Sequence, residues 1–163
     1  MGAPSPAEGA PVEEDAEMAI SVLVVDDEEV FVQTLAKRLT LRRFNVYTAT
    51  RKERVYRTLE ENRIDVVLLD VKMPDLDGIE ATRDIKAAYP LIEVILLTGH
   101  ASMEASLEGM KLGAFDYLLK PVNIDELVYK IEDAYRKKEL QEEKIRRLKS
   151  QSDESSGEVG SAD

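Results

Sequence analysis

Short apolar runs alternate with helical spacings along the central part of the chain. The runs are AISVLVV (19–25), NVYTA (45–49), DVVLL (65–69), EVILLT (93–98) and FDYLL (115–119). Most of them are too continuously apolar for strands with one face in water, and such runs are typical of strands buried on both faces of a parallel sheet. The pattern therefore predicts five strands, most of them buried.

Between and after these runs, apolar residues recur every three or four positions, which predicts helices. Val30, Leu35 and Leu39 mark the first helix. Pro90 is expected to stop the third helix, and Gly113 to close the fourth at its C′ position. The strand–helix unit repeats about every 20–25 residues. This repeat predicts right-handed crossovers and one parallel α/β sheet.

The two ends of the chain differ from the centre in composition. Residues 1–17 hold five acidic residues and residues 150–163 hold four, with no Lys or Arg in either segment and few large apolar side chains. Such segments cannot offset the entropy lost on ordering. We therefore expect a disordered acidic arm at 1–17, a folded domain at 18–137, a helical extension at 138–149 and a disordered acidic tail at 150–163.

Composition and charge narrow the classes of function. The chain has 33 acidic and 22 basic residues, but nine of the acids lie in the two ends, so the centre is nearly balanced and offers no general nucleic-acid surface. The absence of cysteine and the single histidine, His100, exclude a zinc site built on Cys or paired His. Without a secretory signal or a long apolar run, we expect a cytoplasmic protein that binds neither DNA nor membranes.

The last helix is expected to run past the folded domain, because residues 137–150 are rich in helix formers. A seam with a 3.5-residue period crosses it, formed by Leu127, Ile131, Ala134, Lys138, Gln141, Ile145 and Leu148. Lys138 and Gln141 are polar interruptions of that seam. A coiled-coil homodimer and a solvated charged helix therefore both stay open, and the solvated helix is favoured.

Polar residues follow four of the predicted strands where each strand ends. Asp26 and Asp27 follow the first strand, Asp70 ends the third, Thr98 ends the fourth and Lys120 follows the fifth. The carboxyl ends of parallel strands meet at one edge of the sheet, which is where open α/β sheets bind ligands. We therefore expect these five side chains to share one crevice.

Three carboxylates in one crevice repel one another by on the order of 4 kcal/mol for each close pair. Lys120 and a hard divalent ion such as Mg²⁺ are the expected source of positive charge. A carboxylate beside Mg²⁺ and an ammonium group can attack phosphorus. The set therefore predicts an aspartyl phosphate on Asp70, with Thr98 and Lys120 in contact with the phosphoryl oxygens.

Four segments of the chain carry a family resemblance. VLVVDDE, LLDVKMPDLDG, ILLTGHA and FDYLLKPV resemble, in order and spacing, the four signature blocks of the response-regulator receiver domain, the phosphoacceptor module of two-component signalling. The resemblance covers residues 19–137. It implies a flavodoxin-like (βα)5 fold, a five-stranded parallel sheet of order 2-1-3-4-5 with helices on both faces.

The resemblance also implies a role for each site residue. Asp70 corresponds to the phosphorylated aspartate, and Thr98 and Lys120 to the groups that hold the phosphoryl oxygens. The Mg²⁺ ligands implied are the carboxylates of Asp26, Asp27 and Asp70 and the backbone carbonyl of Lys72.

Conformational signalling is implied by the same resemblance. Tyr117 corresponds to the switch aromatic, which turns inward when the Thr98 hydroxyl moves toward the phosphate and so changes the surface of the fourth helix, fifth strand and fifth helix. Pro121 corresponds to a cis-proline that aims Lys120 into the site. Pro74 and Gly78 correspond to a tight loop beside the phosphate.

Lys72 and His100 occupy positions that in the receiver family tune the lifetime of the phosphoryl group. A basic residue at the first position and a histidine at the second resemble the receivers of enhancer-binding transcription activators. Those proteins carry an ATPase domain and a DNA-binding domain after the receiver. Only about 26 residues follow Lys137, which is too few for a further domain of usual size. We expect a stand-alone receiver that signals by protein–protein contact, with a receiver fragment of a longer transcription regulator as the alternative.

The predicted function is a switch phosphorylated by a sensor histidine kinase, with slow self-dephosphorylation as its only catalysis and an unknown downstream protein. A haloacid-dehalogenase-type phosphohydrolase is the second hypothesis, but it needs an aspartate two residues after the nucleophile, where Lys72 stands. A receiver fold used without phosphorylation is the third. A flavin or dinucleotide site is disfavoured because no glycine-rich loop follows the first strand.

Overall fold

The structure is a computed structural model that describes residues 19–161, with side chains to residue 153. The expected acidic arm at 1–17 lies outside the described residues. Within these residues, five strands form the main sheet, each close to an apolar run of the sequence. They are β1 (Ser21–Val25), β2 (Asn45–Ala49), β3 (Val66–Asp70), β4 (Glu93–Thr98) and β5 (Asp116–Leu119).

Five α-helices follow the strands in turn. They are α1 (Glu29–Leu41), α2 (Lys52–Glu61), α3 (Gly78–Ala88), α4 (Met103–Lys111) and α5 (Ile124–Ser161). A 3-10 turn at His100–Ser102 precedes α4. As predicted, α3 ends just before Pro90, and Gly113 follows α4 with a φ of 113°, a left-handed value that favours glycine.

The five strands form one parallel sheet of order β2-β1-β3-β4-β5, as predicted. Alternate side chains of each strand enter two separate cores. Leu68, for example, packs on the face covered by α1 and α5, whereas Leu69 packs on the face covered by α2 and α3. Both faces of the central strands are therefore buried, which explains their continuous apolar runs.

Lys138 is a buried member of the α5 seam. Leu127, Ile131 and Ala134 pack into the core of the domain, and Lys138 follows with its Nζ 3.0 Å from a carboxylate oxygen of Asp65. The side chains of Lys138 and Asp65 are each 5% exposed. The domain itself therefore covers the first four seam positions, and a coiled coil through this seam is restricted to residues after Lys138.

The helix α5 continues past residue 149, its expected end, to Ser161. An established helix adds one backbone hydrogen bond for each further residue, so it can propagate through a Ser-rich segment that would not nucleate a helix alone. Residues 162 and 163 lie outside the described residues. No helix within residues 19–161 is both long and apolar enough to cross a membrane.

Gly78 lies where the loop after β3 turns into α3. Two short strands, Lys72–Met73 and Leu76–Asp77, form a hairpin there, and the Gly78 amide donates a hydrogen bond to the Val71 carbonyl at 3.0 Å. A Cβ atom on Gly78 would lie 2.6 Å from the Asp70 carbonyl oxygen. Only glycine allows this loop to pack against the end of β3 without displacing Asp70.

Gly78→Ala is therefore expected to lower the free energy of unfolding by about 1–3 kcal/mol, because backbone atoms around the new methyl group have to move. Urea denaturation followed by circular dichroism measures the change. Gly99→Ala is the matched control, since a Cβ atom at Gly99 meets no atom within 4 Å. Equal destabilisation by the two substitutions would contradict the proposed steric role of Gly78.

Candidate functional site

Three carboxylates lie together at the carboxyl edge of the sheet. Asp26 directly follows β1, and Asp70 is the last residue of the neighbouring strand β3. One carboxylate oxygen from each of Asp26, Asp27 and Asp70 lies within 4.8 Å of the others. Asp26 and Asp70 are buried and Asp27 is exposed. The three carboxylates therefore form one cluster, with Asp27 on its solvent side, and we call this cluster with its neighbours the acidic pocket.

Lys120 reaches into this pocket from the end of β5. Its Nζ donates a hydrogen bond to Asp26 at 2.6 Å and lies 3.6 Å from Asp70 Oδ1. The backbone amide of Lys120 donates to the Thr98 carbonyl at 2.8 Å. The peptide bond between Lys120 and Pro121 is cis. The ammonium group therefore contacts two of the three carboxylates, as the sequence predicted.

Burial is the largest single influence on the pKa of both Asp70 and Lys120, but it sets the direction of the shift only for Asp70. Desolvation raises the pKa of Asp70 to about 6, helped by the negative charges of Asp26 and Asp27, while Lys120 and a hydrogen bond from the Lys72 amide act in the opposite direction. Desolvation lowers the pKa of Lys120, but the Asp26 hydrogen bond and the charges of Asp70 and Asp26 outweigh it and raise this pKa. One ammonium group therefore does not offset three carboxylates.

The donor set fits Mg²⁺. The ion prefers oxygen ligands and is typically held by one or two carboxylates together with waters and a phosphate oxygen. Asp26, Asp27 and Asp70 offer carboxylate oxygens close enough to share one ion, and the raised pKa of Asp70 shows that the pocket favours additional positive charge. The position of the Lys72 carbonyl as a further ligand stays a prediction.

The remaining predicted residues surround the pocket at different depths. Thr98 is buried at the end of β4, one residue beyond the strand partner of Asp70, and its hydroxyl donates to the Gly99 carbonyl at 3.1 Å. Tyr117 is half-buried on β5 and packs against the core on the α2 and α3 side. The side chains of Lys72 and His100 are exposed.

Phe31 is a neighbour of the pocket that the sequence did not single out. It lies on α1, and its ring centroid is 4.6 Å from Lys120 Nζ, within the range of a cation–π interaction. In the sequence Phe31 is one more apolar residue of an amphipathic helix. The only available signal was its position four residues after Asp27, in the first turn of the helix that begins at Glu29.

The comparison with known families agrees with this geometry. Residues 22–132, more than half of the chain, match the model of the response regulator receiver domain. The chain therefore belongs to the response regulator receiver domain family. Domains of this family are signalling switches in two-component systems, and phosphorylation and Mg²⁺ binding are general properties of the family.

Among similar proteins, Regulatory protein AtoC of Escherichia coli (strain K12) is 33% identical over 127 residues, which cover 78% of this chain and 27% of AtoC. A receiver domain protein from Clostridium thermocellum is 39% identical with a TM-score of 0.71, covering 75% of this chain and 98% of that one. The beryllofluoride-activated NtrC4 receiver domain dimer is 33% identical with a TM-score of 0.68, covering 72% and 98%. The chain spans about a quarter of the length of the curated relatives it matches.

Asp70→Asn is expected to stabilise the fold at neutral pH. Because the pKa of Asp70 is raised from 3.8 to about 6 in the folded protein, stability is lost as the pH rises from about 4 through about 6. Removal of the charge should raise the free energy of unfolding at pH 7 by about 1–3 kcal/mol and have little effect below pH 4 or so. Urea unfolding at both pH values, without divalent metal, measures this.

The exposed Asp84 provides the control, since its side chain is 58% exposed. Asp84→Asn should change the free energy of unfolding by less than about 0.5 kcal/mol at either pH. Destabilisation by Asp70→Asn at pH 7 would show that the ionised carboxylate is favourable in the folded pocket, contrary to the prediction.

Proposed function

We propose that this chain is a phosphorylation-dependent switch that accepts a phosphoryl group on Asp70 from a sensor histidine kinase. The proposal is supported above all by one observation, the close grouping of Asp70 with Asp26, Asp27 and Lys120 at the carboxyl edge of the sheet. Membership of the receiver family supports the same role. Asp70 combines a buried position with access from the exposed side of the pocket.

The transfer forms one bond and breaks one. A carboxylate oxygen of ionised Asp70 attacks phosphorus, and the bond between phosphorus and the imidazole nitrogen of the donor breaks with its electron pair left on that nitrogen. Lys120 lies where its ammonium group would neutralise charge on the transferred oxygens, and the buried Thr98 hydroxyl would donate to another oxygen. Water attack on the acyl phosphate would later return free Asp70.

Asp26, Asp27 and Asp70 would hold Mg²⁺, with the Lys72 carbonyl as a further expected ligand. The bound ion would supply positive charge to the reacting oxygens. Asp26 already accepts hydrogen bonds from Lys120 and from the Glu28 amide, which fix its orientation. Asp27 would complete the ligand set from the solvent side.

Signal output would follow from a local change of charge and packing. A phosphoryl group on Asp70 would draw the Thr98 hydroxyl away from the Gly99 carbonyl, and Tyr117 would turn into the space that Thr98 leaves. Tyr117 lies on β5, so the surface formed by α4, β5 and α5 would change for a downstream protein. The proposal places this exchange in the cytoplasm.

The chain could pass on the signal alone by protein–protein contact, which we take as the leading form of the proposal. The alternative is a receiver that works within a longer transcription regulator. Its support is the coverage of the curated relatives, of which this chain matches about a quarter. Phosphotransfer profiling against purified sensor kinases would identify the donor in either case.

Incubation with Mg²⁺ and acetyl phosphate is expected to add one acid-stable, base-labile phosphoryl group, detected by intact-mass spectrometry. Asp70→Asn should abolish it, because Asp26, the other carboxylate in contact with Lys120, is fully buried and already accepts hydrogen bonds from Lys120 and the Glu28 amide. Asp75→Asn, an exposed residue of the neighbouring hairpin, is the matched control and should retain phosphorylation. Undiminished phosphorylation of the Asp70→Asn protein would refute the proposed role of Asp70.

Phe31→Leu is expected to slow phosphorylation by acetyl phosphate about two- to fivefold, since a cation–π contact worth about 0.5–1 kcal/mol holds Lys120 over the ring. Phe31→Tyr should retain most of the rate because it keeps the aromatic face. A time course by intact-mass spectrometry measures both variants. Equal rates for the Leu and Tyr variants would show that the ring has only a packing role.

A further inference from the structure

A second cavity, of about 690 Å³, lies at the amino edge of the sheet, at the opposite end of the strands from Asp70. Its walls are the start of β4, the loop between α3 and β4, and the part of α5 that leaves the domain. Tyr89, Leu91 and Ile145 give it an apolar surface. We call this cavity the amino-edge groove.

Basic side chains predominate around the amino-edge groove. Arg63, Lys86, Lys137 and Lys138 line it, against the acidic Glu93 and Glu142. The Arg63 and Lys137 side chains are 74% and 47% exposed, although Arg63 also lies 3.9 Å from the buried Asp65 and Lys137 lies 3.5 Å from the buried Glu93. Their exposed parts face water and are accessible to an acidic ligand. The groove is therefore a locally basic and apolar surface in a domain whose overall charge is slightly negative.

The chain enters the fold beside this groove. The Ser21 amide, at the start of β1, donates to one carboxylate oxygen of Asp65 at 2.8 Å. The Nζ of Lys138, in the wall of the groove, lies 3.0 Å from the other oxygen of the same carboxylate. The segment that precedes Ser21 therefore joins the domain next to the groove, separated from the groove wall only by the Asp65 carboxylate.

The segment before Ser21 is acidic with a few apolar residues, which complements the basic and apolar surface of the groove. Residues 1–17 hold five acidic residues and no basic ones, and Val12 and Met18 flank the acidic cluster at 13–17. An extended chain spans at most about 3.6 Å per residue, so Glu17 reaches about 14 Å from Ser21 and Glu13 about 29 Å. The acidic cluster can therefore reach the groove without any movement of the domain.

We propose that the acidic arm of this same chain docks in the amino-edge groove. Its carboxylates pair with Arg63 and Lys137, and Val12 or Met18 contacts the apolar wall. Exposed ion pairs are weak individually, but the tether holds the arm at an effective concentration in the millimolar range. This inference goes beyond the proposed function and does not depend on phosphorylation of Asp70.

Docking of the arm has a consequence for α5. The groove lies at the base of the projecting part of that helix, and Gln141 and Ile145 of the α5 seam line it. A docked arm covers these residues, so any protein that binds this side of the helix has to displace the arm. The arm thus competes with such a protein for the groove. Its binding is sensitive to salt because its contacts are largely ionic.

Paramagnetic relaxation tests the proposal in the full chain. The sequence has no cysteine, so Ala16→Cys gives a single site for a nitroxide label. We expect selective broadening of the Leu91 and Ile145 amide signals, and none at Asp27 on the other edge of the sheet. Replacement of Glu13, Glu14, Asp15 and Glu17 by their amides should reduce this broadening by about half or more, as should salt at about 1 M, where the Debye length is about 3 Å.

The matched control replaces the four acids of the other end, Asp153, Glu154, Glu158 and Asp163, by their amides, and it should keep the broadening. The double variant Arg63→Gln/Lys137→Gln should lose it. Broadening that survives the neutralised arm would reflect the tether alone and would overturn the proposal. Broadening that appears only between labelled and unlabelled molecules would overturn it too, because the groove would then bind a second copy.

Discussion

Negative charge is concentrated at the carboxyl edge of the sheet, and the surrounding elements have to hold these charges together against their repulsion. Asp26 and Asp70 are buried beside each other because two adjacent parallel strands end there. Lys120 offsets part of their repulsion, yet burial, together with the negative charge of Asp26, still raises the pKa of Asp70 to about 6. The fold therefore maintains an unfavourable arrangement of charges, which is the arrangement that favours a divalent cation and a reactive carboxylate.

A sheet buried on both faces is what makes this arrangement sustainable. Its central strands carry apolar side chains into two cores, so the strand ends cannot separate to relieve the repulsion without loss of buried surface. The loop after β3 is also fixed in position, because Gly78 packs against the Asp70 carbonyl. On the other side, α1 places Phe31 under the Lys120 ammonium group. Gly78 thus restricts the position of Asp70, and Phe31 restricts the position of the Lys120 ammonium group.

The helix α5 connects the two charged edges of the molecule. It begins shortly after Lys120 and Pro121, packs along the sheet through Leu127 and Ile131, and reaches the amino edge at Lys138. At this edge the buried Lys138 pairs with Asp65, which directly precedes β3. The carboxyl edge carries an excess of acidic side chains, whereas basic side chains predominate around the groove at the amino edge.

The alternating architecture follows from the amino-acid pattern, because continuous apolar runs are typical of strands covered on both faces. The same pattern puts Asp26, Asp70, Thr98 and Lys120 at strand ends, which parallel pairing brings to one edge. Contacts between elements that are remote in the sequence depend on packing and follow only from the folded structure. The contact of Phe31 with Lys120 could not be predicted, because an aromatic residue on an amphipathic helix is expected to pack in the core. The burial of Lys138 against Asp65 could not be predicted either, because a lysine in a charged helix is expected to be exposed. The end of α5 also differed from expectation, since propagation from a docked helix outweighs local composition.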